Sequence, residues 1–186
     1  MSKTGWIVLG VVLLVFGGIG FGAYNTLVQR QESIRERWAQ VENVLQRRYD
    51  LIPNLVNTVK GYAAHEQGTL EEITRLRSQW GEAKTVSEKV DAAERLEGAL
   101  GRLMVVVERY PDLKANQNFL ALQDELAGTE NRISVERGRY NESVRSYNVA
   151  VRGFPSALVA KLTGFAPSEA YFKAEAEAQK APKVEF

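Results

Sequence analysis

Apolar residues recur along this chain at steps of three and four positions, which is the spacing of one face of an α-helix. The sequence contains no run that alternates apolar and polar residues, as a half-buried strand does. The pattern therefore predicts an all-α fold built from four amphipathic segments. Their apolar stripes are Leu27, Ile34, Trp38, Val41 and Leu45; Leu55, Val59, Tyr62, Ile73, Leu76 and Trp80; Val86, Val90, Ala93, Leu96, Leu100, Leu103, Val107 and Tyr110; and Phe119, Leu122, Leu126, Ile133, Tyr140, Val144, Tyr147, Val151 and Phe154.

Prolines mark two of the predicted helix ends. Pro53 disfavours helical backbone angles at Ile52, so we expect the first helix to end or kink there. Pro111 predicts the same after the third helix. Between the second and third helices, either Thr85 or Ser87 is expected to cap the helix that follows, because a hydroxyl oxygen can accept a bond from a free backbone N–H.

The fourth helix is predicted to end at Gly153, after about 35 residues or roughly 50 Å. Ser156 is then expected to cap a short helix that Gly164 closes. The simplest architecture is an N-terminal transmembrane helix that continues into an elongated, antiparallel four-helix bundle. The corresponding domains are a transmembrane segment over 1–29, a bundle over 30–172 and a polar, flexible tail over 173–186.

The transmembrane prediction rests on the start of the chain. No charged residue lies between Lys3 and Arg30, and the stretch 6–23 has no strongly polar side chain. About 18 helical residues span roughly 27 Å, close to the hydrocarbon thickness of a bilayer. A retained single-span anchor is favoured over two alternatives. A buried core helix would need a comparably apolar shell, and a cleaved signal peptide would need an A-x-A-like site; the sequence offers neither.

Seven further residues fit contact with lipid or with a second helix in lipid. Trp6 and Tyr24 bracket the stretch where aromatic belts occur. Gly18 and Gly22 form a small-xxx-small pair that permits close helix approach. The basic residues that follow the stretch are expected near anionic head groups, at about 1 kcal/mol each close to the surface. They are Arg30, Arg35 and Arg37.

Arg47 and Arg48 lie farther along the first helix, among interleaved glutamates. A charge-paired helix face is the preferred interpretation of such a pattern. Contact with a protein partner is the alternative for this pair.

Overall composition narrows the function classes. The chain has 24 basic and 23 acidic residues, a net charge of +1 and a mean hydropathy of −0.26. This balance argues against a nucleic-acid binder, which usually carries a basic excess. The absence of cysteine excludes disulfides, thiolate catalysis and cysteine-ligated metal clusters.

His65 is the single histidine, and it precedes Glu66. An HExxH zinc motif would need a second histidine where Thr69 stands. Adjacent carboxylates such as Glu71 and Glu72 point about 100° apart on a helix and do not converge on one bond. We therefore expect no metal, no cofactor and no enzymatic activity.

Several segments together resemble one family. They are Asn25–Gln31, Trp38–Glu42, Arg47–Val56, Val59–Glu66, Tyr110–Asn116, Phe119–Gln123, Thr129–Ile133, Tyr140–Asn141, Gly164–Phe165 and Lys183–Phe186. In this order and at this spacing the chain is similar to the LemA family from about Tyr24 to its last residue.

The resemblance implies a bacterial, membrane-anchored helical protein with no established enzymatic activity. One class of members acts in magnetosome membrane formation, which implies a role in membrane organisation or envelope homeostasis. We expect a self-associating scaffold in the cytoplasmic membrane. The alternative is a monomeric or dimeric adaptor that docks another membrane protein or a protease.

The side of the membrane stays open. Basic residues after the span favour a cytoplasmic main domain. Some relatives instead carry a lipoprotein cysteine just before the position of Tyr24, which implies a domain outside the membrane. This chain has no cysteine there, so its anchoring would rest on the apolar helix.

Overall fold

A computed structural model describes residues 3–172, and over that range the chain forms helices and connecting turns without a strand. The helices are α1 (Lys3–Lys60), α2 (Gln67–Glu82), α3 (Val86–Val107), α4 (Pro111–Lys114), α5 (Gln117–Arg152) and α6 (Ser156–Thr163), with a 3₁₀ turn at Ala64–Glu66. The all-α prediction is confirmed for this part of the chain. The tail predicted over 173–186 lies outside the described residues.

The chain divides into two compact units, which are described separately. Among the described residues, unit 1 contains 3–44 together with Arg132–Glu169. Unit 2 contains Leu45–Asn131 and 170–172.

Helix α1 runs through Pro53 to Lys60, so it does not end at Ile52, which was the first of the two outcomes that we expected there. Proline removes the N–H that would bond to the carbonyl four residues earlier, here that of Tyr49. That carbonyl accepts a hydrogen bond from Nε of Arg77 on α2 at 3.0 Å. The acceptor that Pro53 leaves without an intrahelical donor is therefore satisfied from another helix.

The chain leaves the helix at Gly61. The backbone N–H groups of Tyr62 and Ala63 both bond to the carbonyl of Val59, at 3.0 and 2.8 Å, which closes the last turn of α1. Leu55 and Val59, whose stripe we placed at the start of the second helix, therefore belong to α1. The interruption at residues 61–66 separates them from the remainder of that stripe.

Helix α3 begins at a complete capping box. The Thr85 hydroxyl accepts a bond from the backbone N–H of Glu88 at 3.2 Å, and the Glu88 carboxylate accepts from the N–H of Thr85 at 3.0 Å. Of the two predicted caps, Thr85 is the one that the structure uses. Bonds from the backbone N–H groups of Lys84 and Thr85 hold the pKa of the Glu88 carboxyl below its usual value.

Pro111 occupies the first turn of the short helix α4, where a missing N–H costs nothing. Asn116 precedes α5, and its Oδ1 accepts a bond from the N–H of Phe119 at 3.1 Å. The side chain thereby satisfies one of the free donors at the start of α5. As predicted, α5 ends just before Gly153.

Helix α6 is closed by Gly164, whose φ of +80° lies in the left-handed region that glycine favours. The predicted capping role of Ser156 was wrong. Its hydroxyl donates backwards, to the carbonyls of Ala150 at 2.7 Å and Gly153 at 3.1 Å. Ser156 thus ties α6 to the end of α5.

In unit 1, a buried cluster of Leu27, Tyr147, Val151 and Ala160 joins α1, α5 and α6. Farther along α1, the ring of Trp38 meets that of Tyr140 edge-on, with centroids 5.5 Å apart. Such edge-to-face geometry is favourable because the ring edge and face carry opposite partial charges. The apolar stripes of the first and fourth predicted helices therefore meet in this unit.

In unit 2, α2 packs against α3. Tyr49 of α1 stacks on Trp80 of α2, with ring centroids 4.2 Å apart. Two stripe residues are exposed: Tyr62 lies in the turn after α1 and Phe154 in the turn after α5.

Candidate functional site

The N-terminal part of α1 is long and apolar enough to cross a membrane, and none of that stretch is buried. Trp6 stands exposed near its start and Tyr24 near its end. The large side chains between them are also exposed: Ile7, Val8, Leu9, Val11, Val12, Leu13, Leu14, Val15, Phe16, Ile19 and Phe21. A continuous apolar surface of this size marks a region that contacts lipid or another protein.

Gly18 and Gly22 lie on this exposed surface. A Cβ placed on either residue would meet no atom within 4 Å. The glycines therefore serve no packing contact inside the described chain. Their faces are open to a second helix.

The apolar stretch ends where unit 1 begins to pack. The Tyr24 ring contacts the Phe165 ring edge-on, with centroids 5.9 Å apart, and Leu27 is fully buried. Three hydrogen bonds hold the segment after α6 against α5. The Tyr147 hydroxyl donates to the carbonyl of Ala166 at 3.0 Å, and the Asn148 amide exchanges two 2.8 Å bonds with the backbone of Ser168.

The three arginines that follow have different environments. Arg30 donates to the hydroxyl of Ser146 on α5, and Arg35 pairs with Glu32 on its own helix at 2.6 Å. Arg37 lines an open groove between α1 and α5. The groove residues are Arg30, Ser33, Arg37, Val135, Gly138, Arg139, Glu142, Ser143 and Ser146.

Arg145, next to the groove, binds Glu142 through two bonds of 2.9 and 3.0 Å. These bonds hold the pKa of the Glu142 carboxyl below its usual value. Three arginines line the groove, of which Arg139 pairs with Glu136 at 2.6 Å. The one carboxylate of the lining, that of Glu142, is paired with Arg145.

Arg47 and Arg48 both pair with glutamates of α5. Arg47 reaches Glu125 at 3.2 Å on the surface. Arg48 pairs with Glu130, and its side chain is only 7% exposed. Neighbours in the sequence thus occupy different environments, and only Arg47 presents its charge to solvent.

A polar cluster in unit 2 was missed by the sequence analysis. Glu66 accepts hydrogen bonds at 3.1 Å from both Arg109 and the hydroxyl of Tyr110. Loss of solvation, and then the bond to Glu66, raise the pKa of Tyr110 above its usual value. His65, which the sequence analysis did weigh, is exposed beside this cluster.

Asn116 extends the polar contacts near this cluster, because its Nδ2 donates to the hydroxyl of Tyr62 at 2.8 Å. The signal that could have revealed these contacts lies in two segments quoted for the resemblance, 59–66 and 110–116. Their polar residues lie about 50 positions apart, so neither periodicity nor spacing connects them. The bonds join the turn after α1 to the turns around α4.

The polar side chains described above either join two helices or line an open surface groove. Over 3–172 no three His, Cys, Asp or Glu side chains stand close enough to hold a metal ion. The predicted site residues of unit 1 lie within or beside the apolar stretch, or in the part of α1 that follows it.

Comparison with known proteins identifies the family. Residues 37–186 match the model of the LemA family. The chain is 28% identical to magnetosome protein MamQ 2 of Paramagnetospirillum magneticum strain AMB-1, over 81% of this chain and 64% of the relative. It is 29% identical to magnetosome protein MamQ of Magnetospirillum gryphiswaldense strain MSR-1, over 76% of this chain and 62% of the relative. It is 26% identical to protein LemA of Metamycoplasma hominis, over 79% of this chain and 68% of the relative.

The chain thus spans less than two thirds of the length of the magnetosome relatives that it matches. The family match covers α1 from residue 37 onward and every later helix, including the 61–66 and 108–116 turns whose polar residues meet. The resemblance predicted from the motif segments is confirmed over residues 37–186, and the chain belongs to the LemA family.

Proposed function

We propose that this chain is a non-enzymatic, membrane-anchored scaffold of the bacterial cytoplasmic membrane, which self-associates and takes part in membrane organisation. Its anchor is the stretch 6–23 of α1, which crosses the bilayer once. The observation that carries the proposal is that no residue of that stretch is buried, whereas α2, α3 and α5 bury most of their apolar stripes.

A bilayer accounts for this exposure physically. Each apolar side chain left in water loses roughly 1.5–3 kcal/mol relative to burial, and more than ten large ones stand exposed here. A helix satisfies its own backbone hydrogen bonds, so it can enter lipid without further partners. The stretch has the length that the hydrocarbon core requires.

The domain beyond the anchor is proposed to be an antiparallel four-helix bundle of α1, α2, α3 and α5. Contacts in unit 1 support this arrangement, because Arg30 meets Ser146 and Trp38 meets Tyr140. The residue numbers rise in α1 as they fall in α5. The match to magnetosome proteins supports a role of this anchored domain in membrane organisation.

Self-association is proposed to use the face of α1 that carries Gly18 and Gly22. Both glycines are open, and small residues four apart let two helices approach closely in lipid. Arg30, Arg35 and Arg37 would add attraction to anionic head groups, at about 1 kcal/mol for each residue close to the surface.

The single crossing is tested by labelling from one side. The chain has no cysteine, so Lys3→Cys and Glu108→Cys each give one thiol for a membrane-impermeant maleimide in spheroplasts. We expect one of the two sites to be labelled before lysis and the other only after it. Labelling of both sites before lysis, or of neither, contradicts a single crossing, and the labelled site gives the orientation.

Self-association is tested by energy transfer between labelled full-length chains in vesicles at increasing lipid-to-protein ratio. We expect transfer to persist on dilution and to be lost in Gly18→Leu/Gly22→Leu. Gly20→Leu is the matched control, because Gly20 points about 160–200° away from both positions. A wild-type chain that is strictly monomeric at all ratios contradicts the scaffold and favours the adaptor function.

A further inference from the structure

Three large apolar side chains form an exposed ridge at the end of unit 1. Phe154 is 86% exposed, Leu158 60% and Leu162 87%. Leu158 and Leu162 are four positions apart in α6 and so lie on one face of that helix, and Phe154 stands exposed in the turn just before it. We name these three residues the apolar ridge.

The opposite face of α6 packs against the rest of unit 1. Ala160 is buried in the cluster with Leu27 and Tyr147, and Val159 packs against it. The bonds from Ser156 to α5 hold the start of the helix. The two leucines of the ridge therefore lie on a well-packed helix, and Phe154 lies in the turn that the Ser156 bonds span.

The helix register places this ridge level with the end of the apolar stretch. Arg30 of α1 contacts Ser146 of α5, and both helices rise about 1.5 Å per residue. About seven residues beyond Ser146 lies Gly153, and about seven residues back from Arg30 lies Ala23, the last residue of the stretch. The turn that carries Phe154 thus stands beside the point where α1 leaves the apolar region.

A second contact supports the same placement. The ring of Phe165, just after α6, touches the ring of Tyr24 at 5.9 Å. Both ends of the α6 region are therefore near the aromatic residue at the end of the apolar stretch.

The charges around the ridge suit a lipid surface. No acidic residue occurs between Glu142 and Glu169, whereas Arg152 and Lys161 lie exposed beside the ridge. Exposed apolar side chains flanked by cations are the pattern of helices that lie in the interface of an anionic membrane.

We propose that the apolar ridge inserts into the head-group and acyl-chain boundary of the bilayer that α1 crosses, to a depth of about 5–10 Å. The inference rests on the proposed membrane anchor. It adds a second, shallow membrane contact, separated from the anchor by more than one hundred residues of sequence. The two contacts together would set the angle between the membrane and the part of unit 1 that packs beyond Tyr24, an angle that one helix alone leaves free.

The test uses single cysteines in the full-length chain, reconstituted in vesicles of phosphatidylcholine and phosphatidylglycerol. An environment-sensitive fluorophore is attached at Leu158→Cys or Leu162→Cys, and lipids brominated near the head group or deep in the chain act as quenchers. We expect a blue-shifted emission that shallow bromines quench more than deep ones. Leu14→Cys reports on the anchor and should be quenched most by deep bromines.

Val135→Cys is the matched negative control, because Val135 is an exposed apolar residue of α5 about 27 Å before Gly153. Its label should show neither the blue shift nor quenching. If Leu14→Cys is quenched and both α6 labels behave like Val135→Cys, the ridge inference fails and the anchor stands. If Leu14→Cys is not quenched, the anchor itself fails.

A second copy of the chain is the other possible occupant of the ridge. It would protect the α6 labels from water without bromine quenching, and the blue shift would fade as protein is diluted in lipid. That outcome overturns the inference. If the ridge inserts into lipid, Leu158→Glu/Leu162→Glu should abolish the shallow quenching measured at a label on Phe154→Cys. Circular dichroism should show that the helices of this variant remain folded.

Discussion

Arg77 of α2 donates a 3.0 Å hydrogen bond from Nε to the backbone carbonyl of Tyr49 in α1. That carbonyl is the one that Pro53 leaves without its helical donor. The bond lets α1 continue past a proline to Lys60, and it fixes α2 against α1 at the same point. The Arg77 guanidinium thus replaces the missing backbone N–H as the hydrogen-bond donor.

Replacing Arg77 with Met should lower the free energy of unfolding by about 1–3 kcal/mol, because a partly buried acceptor loses its donor. Arg75→Met is the control, since Arg75 is exposed on the same helix, and its effect should stay within about 0.5 kcal/mol. Urea unfolding of the full-length chain in detergent, followed by circular dichroism, measures both.

The role of Pro53 can be separated by a double-mutant cycle. In a Pro53→Ala background the helix regains an N–H for the Tyr49 carbonyl, so the further change Arg77→Met should cost less than in the wild type. The expected coupling is about 0.5–3 kcal/mol. Equal costs in the two backgrounds would mean that Arg77 acts through some other contact.

The same residues show what the sequence could predict. The apolar spacing gave the helical class and most core positions, since helix period and burial are local properties of the pattern. The helix end expected at Pro53 is absent because Arg77, which donates to the carbonyl of Tyr49 that Pro53 leaves without a donor, lies 28 positions from Tyr49 in the sequence. A local rule about proline contains no term for a distant donor.

The sequence did not predict the distant polar contacts, for the same physical reason. Thr85 and Glu88 could be read as a cap because the two residues are three positions apart. The bonds of Glu66 to Arg109 and Tyr110 join residues more than 40 positions apart. Phe154 matched the spacing of the core stripe, but the chain turns away from the helix just before it. Only the tertiary arrangement decides such cases.

Arg48 and Arg47 offer a contrast between a buried and an exposed ion pair. Arg48→Met removes the partner of Glu130 from a site that is 7% exposed on the arginine side and 37% on the glutamate side. Because the glutamate keeps some solvent, we expect a loss of about 2 kcal/mol, below the full cost of a buried unpaired charge. Arg47→Met should change the free energy of unfolding by less than about 1 kcal/mol. Equal losses in the two variants would contradict this difference in environment.

Two glycines of the α5 region should respond to alanine in opposite directions. A Cβ at Gly153 would stand 2.9 Å from the carbonyl oxygen of Val149, so Gly153→Ala should destabilise the protein by more than about 1 kcal/mol. A Cβ at Gly128 meets nothing within 4 Å. Gly128→Ala should stabilise by about 0.5–1 kcal/mol, because alanine loses less backbone entropy in a helix. Thermal melts that shift both variants in the same direction would refute this assignment.

The capping box of α3 makes Thr85→Ala a sharp test of the helix start. We expect a loss of about 1 kcal/mol, since the N–H of Glu88 loses its acceptor. Ser87→Ala serves as the control, because Ser87 is the other hydroxyl near this end and takes no part in the box. The unfolding free energies of the two variants should therefore differ. If Ser87→Ala is the more damaging change, the helix starts elsewhere.

Tyr110 should make stability depend on alkaline pH. Loss of solvation, together with its bond to Glu66, raises the pKa of the folded state above the ordinary value of 10.0. The unfolded chain releases the phenolic proton first, so this contribution is complete below the ordinary pKa and is lost as pH rises through the folded one. Tyr147, whose pKa is raised by loss of solvation, acts in the same direction from unit 1.

Unfolding free energies measured from about pH 8 to about pH 11 should fall less steeply for Tyr110→Phe and for Tyr147→Phe than for the wild type. The two reductions should add, because the residues share no partner. A Tyr110→Phe chain that keeps the full wild-type slope would show that the hydroxyl of Tyr110 stays as hydrated in the folded chain as in the unfolded one.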